Sequence, residues 1–290
     1  MASSLPQPPP LPSLHFTRRS LLLTSTSTLS FPSLSSSATI PPNPTITDRV
    51  FMEFGLCPNF FLPNRTLGDT ISTLCSDSTS VGRVIIGLYG NIVPLTVSNF
   101  KSLCISASNS NNPDSSSYKN TLVHKVFPGQ YFLAGRQGRP EKGEVRPPRH
   151  LPRNIETVDP TAFALTHSRP GVVSLSLSEN DDDDEIKFSP DYRNIEFLIT
   201  TGPGPCPQLD SKNIVFGTVL EGLDVITSIA SLPTYQPAER IRQFNDLAEF
   251  FGDERAQNAR AIWSRPLTTV YISNCGVLEV AKPSLTPSLP

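Results

Sequence analysis

His124 and Lys125 stand side by side in the stretch VHKVFPGQYFLAGRQ, which spans residues 123–137. Histidine can accept and release a proton near neutral pH, and lysine carries a compact positive charge with hydrogen-bond donors. Apolar residues flank the pair Pro128-Gly129, which favours a tight turn, so the stretch predicts two strands joined as a hairpin. The hairpin is either a catalytic surface or a strand pair without chemistry, and the residue types alone leave both open.

The other residues that could do chemistry predict no metal site and no cofactor. The four histidines are scattered, and no cysteines have the spacing of a zinc site. Cys57 and Cys75 end apparent strand segments, so they could form a disulfide, or they could stay as thiols. The state of all five cysteines is open at this point: Cys57, Cys75, Cys104, Cys206 and Cys275.

The segment ENDDDDEIKF, residues 179–188, carries an acidic run from Asp181 to Glu185. Runs of like charge are typical of solvated loops. The alternatives are a lid that pairs with Lys125, a partner for the basic stretch 136–153, or a weak divalent-cation site. Consecutive aspartates lack the alternating ligand spacing of a calcium loop, which disfavours the cation site.

The elements that must position these residues are mostly strands. Alternating or apolar segments predict strands over 46–57, 82–90, 171–178, 194–201 and 213–220, and a final strand pair over 268–280. Helical spacing predicts helices over 93–104 and 222–232. It also predicts a late insertion of two helices, of which the first ends at Gly252 and the second ends before Pro266. This pattern predicts a mainly β fold: a closed or nearly closed antiparallel barrel capped by helices, with the helical insertion near the C-terminus.

Residues 1–40 predict a disordered targeting peptide. The first acidic residue of the chain is Asp48, and the leader is rich in Ser, Thr and Pro, as plastid transit peptides are. Arg18-Arg19 followed by leucines resembles a twin-arginine export signal, so the two signals together predict the thylakoid lumen. The alternative is a disordered Ser/Pro tail that carries no address. Residues 283–290 also predict a disordered tail, which leaves a folded domain over 46–282.

Charge and hydropathy exclude two classes of partner. The formal net charge of the 290 residues is −2, so no electrostatic argument favours nucleic acid. No stretch approaches the roughly 18 unbroken apolar residues of a membrane span, so the chain is not expected to cross a membrane.

Four segments, in this order, resemble the cyclophilins, which are prolyl isomerases built on an eight-stranded barrel. GRVIIGLYGNIVPLTVSNFKSLC (82–104) is similar to their second strand and first helix, and YKNTLVHKVFPGQYFLAGR (118–136) to their active-site hairpin. LDSKNIVFGTVLEGLDVI (209–226) and NCG (274–276) are similar to later segments. The resemblance covers roughly residues 48–282 and implies this barrel. The plant plastid subgroup, whose late insertion ends near an Arg-Pro such as Arg265-Pro266, resembles the chain most.

The resemblance implies where the active site lies and how far it has changed. Lys125 stands where the family has its catalytic arginine, and His124 matches a histidine that supports the barrel. The substrate-binding positions implied by the family are Gln130, Tyr131, Leu133, Ser176, Glu196, Leu198, Gln208, Leu209 and Asn213. Among these only Leu209 keeps the family's residue, whereas the residues that form the barrel are kept.

Two functions follow from this resemblance. The first is a peptidyl-prolyl cis-trans isomerase of the thylakoid lumen that acts on proline-containing peptides or lumenal client proteins, with Lys125 as its cationic donor. The second is a catalytically weak or inactive scaffold that binds such partners or assists assembly. A cavity wide enough for a proline ring between Tyr131, Leu198 and Leu209 would favour the enzyme, and side chains that fill this space would weaken it.

Overall fold

The structure is a computed structural model that describes residues 43–58, 75, 77–109, 116–177, 190–260, 262–279 and 284–285. The predicted leader 1–40 and the acidic run from Asp181 to Glu185 lie outside these residues. Ten strands are described: β1 Thr45–Ile46, β2 Asp48–Cys57, β3 Thr79–Leu88, β4 Val123–Phe127, β5 Tyr131–Ala134, β6 Val172–Leu175, β7 Phe197–Thr200, β8 Ile214–Glu221, β9 Thr269–Leu278 and β10 Ser284–Leu285. Four α-helices are described: α1 Pro94–Asn109, α2 Leu223–Ala230, α3 Glu239–Phe250 and α4 Glu254–Arg260.

Eight strands form one antiparallel sheet in the order β4-β5-β7-β6-β8-β3-β2-β9. The first and last strands of this order meet near Leu122, which forms a bridge with Tyr271, and Asn120 donates its backbone N–H to the carbonyl of Ile272 at 2.7 Å. The sheet therefore curls into a nearly closed barrel, which confirms the predicted fold class. The short strands β1 and β10 pair separately, and β10 is formed by two residues of the predicted tail. The prediction of a strand pair over 268–280 is wrong, because Thr269–Leu278 is one strand that pairs along its length with β2.

The barrel interior is filled by alternate residues of each strand, as the period of two residues in a strand requires. Phe132 of β5 and Phe197 of β7 belong to the interior core, whereas their neighbours Leu133 and Leu198 belong to a separate cluster outside it. Phe100 of α1 lies 4.8–5.3 Å, between ring centroids, from the core rings of Tyr118, Phe197 and Phe216. The helix thus caps the barrel with an aromatic side chain.

Helix α1 begins where a carboxylate satisfies its free backbone donors. Glu156 accepts hydrogen bonds from the backbone N–H groups of Leu95 and Thr96 at 2.7 and 2.8 Å, and from the Thr96 hydroxyl at 2.6 Å. Pro94 occupies the first turn, where its missing N–H costs nothing. A negative charge at this end also complements the helix dipole.

The late insertion is a helical hairpin of α3 and α4, with a narrow neck at the barrel. Backbone hydrogen bonds join Tyr235 to Arg265 at 2.8 Å and Ser264 to Tyr235 at 2.9 Å. Ser264 also accepts a hydrogen bond at 2.7 Å from the backbone N–H of Val126 in β4. The neck therefore lies against the strand that carries His124 and Lys125.

The cysteines fall into two groups. Cys57, at the end of β2, forms a disulfide with Cys75, with the two Cα atoms 5.5 Å apart. Of the two alternatives that the sequence leaves open for this pair, the structure has the disulfide. Cys104, Cys206 and Cys275 are buried thiols.

Candidate active site

The hairpin of β4 and β5 is the frame of the site. The backbone N–H of Gln130 donates to the carbonyl of Phe127 at 3.0 Å, which closes a four-residue turn through Pro128 and Gly129. Gly129 has φ of +71°, a conformation in which a side chain would be strained. The proline presets the first turn position and the glycine permits the second, so this sequence folds locally as a tight turn.

Lys125 lies on the outer face of the barrel wall. The strand register places Lys125 opposite Leu133, Leu133 opposite Leu198, and Leu198 opposite Ser174. Directly opposed residues of neighbouring strands project to the same face, so these four side chains form one row across the sheet. The register between β4 and β5 shifts at 123–125, where one extra residue, His124, enters the strand beside Lys125.

An apolar cluster fills the centre of this face. Tyr131, Leu133, Leu198, Cys206 and Leu209 pack together, and none exposes more than 4% of its surface. Leu198 and Leu209 have no accessible surface, so a proline ring contacts neither of them until the cluster opens. The structure thus brings together Tyr131, Leu198 and Leu209, and these side chains fill the space between them.

A pair of glutamines bridges the rim of this apolar cluster. The side-chain amide of Gln208 donates to the side-chain carbonyl of Gln130 at 3.1 Å, and both residues are exposed. Each glutamine directly precedes a member of the cluster, Tyr131 or Leu209. The Gln130 backbone is itself held, because its carbonyl accepts from the Thr201 N–H at 2.8 Å. The bond therefore joins two sides of the closed site.

Four other polar residues predicted for the site, His124, Ser176, Glu196 and Asn213, lie at one end of the face and are buried or nearly so. Glu196 faces His124 with 2.5 Å between Oε1 and Nε2, and the two side chains expose 2% and 10% of their surface. The contact is an ion-pair distance only, because neither carboxylate oxygen of Glu196 has a hydrogen-bond partner among the described residues. Ser176 donates its backbone N–H to the Glu196 carbonyl at 2.8 Å. Asn213 accepts from the backbone N–H of Leu177 at 2.8 Å.

A buried histidine that the sequence reasoning did not single out supports the apolar cluster from behind. His167 has no accessible surface; its Nδ1 lies 2.8 Å from Asp210 Oδ1, and its Nε2 lies 2.9 Å from Ser174 Oγ. A carboxylate can only accept, so Nδ1 carries the hydrogen and Nε2 accepts from the serine hydroxyl. Burial lowers the pKa of His167, and the Asp210 carboxylate opposes part of this effect.

This network holds two members of the cluster in place. Asp210 directly follows Leu209, and Ser174 is opposite Leu198 in the strand register. The carbonyl of His167 also accepts from the backbone N–H of Cys206 at 2.8 Å. Ser174 has no accessible surface, so the Ser174–His167–Asp210 arrangement is a structural support and offers no nucleophile to solvent.

Cys206 was missed as a member of the site because its proline-rich surroundings carry no periodic signal. Burial raises the pKa of its thiol, and Asp210 adds to this, so the group stays a neutral apolar filler. Ser174 could have been found, since alternation along β6 places it on the same face as Ser176. Asp210 stands inside the quoted LDSKN motif, so it was also within reach of the sequence.

Two negative findings concern the residues that the structure describes. Among them, no three His, Cys, Asp or Glu side chains cluster in a way that could hold a metal ion. No described helix is both long enough and apolar enough to cross a bilayer.

Comparison with known proteins identifies the family. The family model described as "Cyclophilin type peptidyl-prolyl cis-trans isomerase/CLD" matches residues 75–247, more than half of the chain. The chain belongs to the cyclophilin family. Cyclophilin domains bind proline-containing peptides, so peptides of this kind are the partners of the domain. The predicted resemblance is thereby confirmed.

The relatives extend this assignment. The cyclophilin is 65% identical over 257 residues to "Peptidyl-prolyl cis-trans isomerase CYP28, chloroplastic" of Arabidopsis thaliana, covering 86% of this chain and 88% of the relative. It is 31% identical over 158 residues to "Peptidyl-prolyl cis-trans isomerase D" of Saccharomyces cerevisiae, covering 53% and 59%. It is 28% identical over 170 residues to a "Peptidyl-prolyl cis-trans isomerase" of Encephalitozoon cuniculi, covering 56% and 81%. The predictions of a peptidyl-prolyl cis-trans isomerase enzyme and of a chloroplast cyclophilin are confirmed.

Proposed function

We propose that this cyclophilin is a slow prolyl isomerase of the thylakoid lumen, with Lys125 as its catalytic cation. The observation that carries the proposal is the row in which Lys125 stands beside Leu133 and Leu198 on the outer face of the barrel. A cation at the edge of an apolar cluster is the arrangement that rotation of a prolyl bond requires.

Rotation about an X–Pro bond has a barrier of about 20 kcal/mol, because it breaks the resonance between the amide nitrogen and its carbonyl. The nitrogen becomes pyramidal in the twisted state and can then accept a hydrogen bond. A donor that makes this bond only in the twisted state lowers the barrier. A charge-assisted hydrogen bond of about 1.5–3 kcal/mol corresponds to a rate effect of roughly 10- to 150-fold.

Two features of the site support a slow rate. Lysine lacks the planar fork of arginine, and Leu133, which lies opposite Lys125, cannot orient its ammonium group by a hydrogen bond. The apolar cluster is also closed, so substrate must first separate the Gln130–Gln208 pair and displace Tyr131. A site that is open for only a fraction of the time binds with an affinity reduced by that fraction.

The roles of the other site residues belong to the same proposal. In the open state Tyr131, Leu198 and Leu209 surround the proline ring, and Gln130 and Gln208 form the rim. His124 supports the strand through its contact with Glu196. Ser176, Glu196 and Asn213 line the end of the face that receives the residues flanking the proline.

The lumenal location and lumenal clients rest on the sequence of the leader. The acid-free stretch before Asp48 and the Arg18-Arg19 pair support import into the plastid followed by export into the lumen. A fluorescent protein fused after residue 60 of this chain should collect in the lumen, and Arg18→Lys with Arg19→Lys should leave it in the stroma. Lumenal import of the double-lysine variant would contradict a twin-arginine route.

The catalytic proposal is tested by the rate of cis-to-trans exchange in a proline peptide. We expect acceleration that is proportional to protein concentration and that Lys125→Ala reduces by at least tenfold. Lys142→Ala, a change to an exposed lysine elsewhere on the surface, is the matched control and should keep the wild-type rate. If the wild-type protein gives no acceleration at high concentration, the proposal fails.

The closed cluster favours a second candidate, a scaffold that binds proline peptides or partner proteins without isomerising them. This function predicts peptide-dependent NMR shifts at Tyr131 and Gln208 with no effect on the exchange rate. The double variant Lys125→Arg with Leu133→Gln separates the two functions, because it restores the donor and its support. Catalysis that appears only in this variant would assign the wild-type protein to the scaffold class.

A further inference from the structure

Helix α3 of the insertion turns its polar side towards its neighbour and its apolar side to solvent. Arg260 of α4 pairs with Asp246 at 2.5 Å and with Glu249 at 2.9 Å, so the charged side of α3 faces α4. None of the residues of α3 is buried. A surface helix ordinarily does the opposite, with its apolar side packed against the protein.

The exposed side of α3 carries large apolar residues at helical spacing. The following side chains, which we call the α3 apolar face, expose from 54% to 76% of their surface: Ile241, Phe244, Leu247 and Phe251. The half-buried Ala248 lies between them on the same side. Contiguous exposed apolar residues of this kind mark an interaction surface in proteins of known function.

We propose that the α3 apolar face pairs with the same face of a second copy of this chain, with the two helices antiparallel about a two-fold axis. The face is centred near position 246, so the axis lies there. This register places Phe244 of one copy against the small Ala248 of the partner copy, and Ile241 against Phe251. Phe244 thus meets a small side chain near the axis, where the two helices approach closely, and Ile241 and Phe251 cover the two ends of the contact.

Charge supports the antiparallel orientation. Arg240 flanks the α3 apolar face at its N-terminal end and makes no hydrogen bond or ion pair with any residue that the structure describes. At the N-terminus of its own helix a cation opposes the helix dipole. In the antiparallel pair Arg240 lies opposite Gly252 of the other copy, at the negative end of that helix and beside Asp253. A parallel pair would instead bring the two Arg240 side chains together.

The area of the face suits a dimer of modest affinity. The exposed fractions of its four large residues, together with Phe250 at 82%, correspond to an area on the order of 600 Å² per copy. Pairing would bury about twice that area, which is at the lower end for specific protein–protein interfaces. The near balance of acidic and basic residues in the insertion gives no attraction to an anionic lipid surface, so a second copy is the occupant that charge favours.

Sedimentation velocity of the full chain over about 1–200 µM, a range that spans micromolar affinities, tests the proposal. We expect a monomer–dimer equilibrium that Phe244→Lys abolishes and that Arg240→Glu weakens at least tenfold. Val158→Lys, which places the same charge at an apolar residue that is 82% exposed on another surface, is the matched control and should dimerise as the wild type does. A wild-type chain that stays monomeric throughout overturns the proposal.

Cross-linking tests the orientation. Leu247→Cys lies next to the axis and should form a disulfide between copies under a mild oxidant. Ile241→Cys should not, because its two copies are separated by about 15 Å along the antiparallel helices. Cross-linking of both variants would indicate parallel helices and overturn the proposal. The proposal would also fail if the wild type were monomeric and floated with vesicles of neutral lipid, and if Phe244→Lys prevented that flotation.

Discussion

The buried His167 makes stability depend on pH with a sign that the structure determines. In the folded protein both ring nitrogens are satisfied only when the imidazole is neutral, because Nε2 must accept from the Ser174 hydroxyl while Nδ1 donates to Asp210. Burial lowers the pKa of His167 below its ordinary value of 6.5. At pH values between the lowered pKa of the folded state and the ordinary pKa of 6.5, the unfolded chain binds one more proton than the folded chain.

The expected result is a loss of stability on acidification. The contribution of His167 is fully present above about pH 6.5 and is lost as the pH falls through the lowered pKa of the folded state. A difference of one proton gives a slope of at most about 1.4 kcal/mol per pH unit in the free energy of unfolding. Urea unfolding at several values between pH 8 and pH 4.5 measures this slope.

Two variants isolate the histidine. His167→Gln keeps polar atoms towards Asp210 and Ser174 and does not titrate, so its stability should fall less steeply below pH 6.5 than that of the wild type. His150→Gln changes an exposed histidine and should leave the wild-type slope unaltered. If the free energy of unfolding fell equally with pH in the wild type and in His167→Gln, burial of a neutral His167 would not be the cause of the pH dependence.

Three further changes give defined results. The Cys57–Cys75 disulfide closes a loop with a sequence separation of 18 residues, so its reduction should lower the free energy of unfolding by about 3 kcal/mol. Urea titration with and without reductant measures this difference, and equal unfolding midpoints would contradict it. Leu198→Ala leaves a cavity at a residue with no accessible surface and should cost about 2–5 kcal/mol by the same measurement, whereas a loss below 1 kcal/mol would mean that the cluster collapses around it. Gln208→Ala removes the hydrogen bond to Gln130, whose about 0.5–1.5 kcal/mol would no longer oppose opening of the apolar cluster, so kcat/KM for a proline peptide should rise by up to about tenfold. An unchanged or lower kcat/KM would show that this hydrogen bond does not control access to the site.

Much of the fold could be predicted because its signals are local. The alternation of apolar residues gave the barrel strands, and the pair Pro128-Gly129 gave the turn. Gly252, predicted to end the first helix of the insertion, has φ of +77° just after α3. Each signal depends on one residue's backbone preference or on a spacing of two to four residues, which a sequence displays directly.

The features that escaped prediction depend on distances between remote parts of the chain. Alternation could not predict the register shift at 123–125, which places Lys125 opposite Leu133, because one inserted residue breaks the period of two. Helical spacing identified the apolar side of α3 but not the direction in which it points. The closed state of the site depends on how Leu198 and Leu209 pack against residues far away in sequence, so no pattern in the chain reports it.

The hydrogen bond from Val126 to Ser264 has a consequence for how the barrel stays shut. Strand β4 is the terminal strand of the sheet order, so its outer backbone groups would otherwise be open to pairing with a foreign strand. The neck of the insertion covers this edge one residue beyond Lys125. Removing the insertion would therefore do more than delete two helices, because it would expose the backbone groups of the barrel edge beside Lys125. That edge would then be free to pair with a strand of another molecule. Force applied to the helical hairpin would likewise be delivered to the same strand.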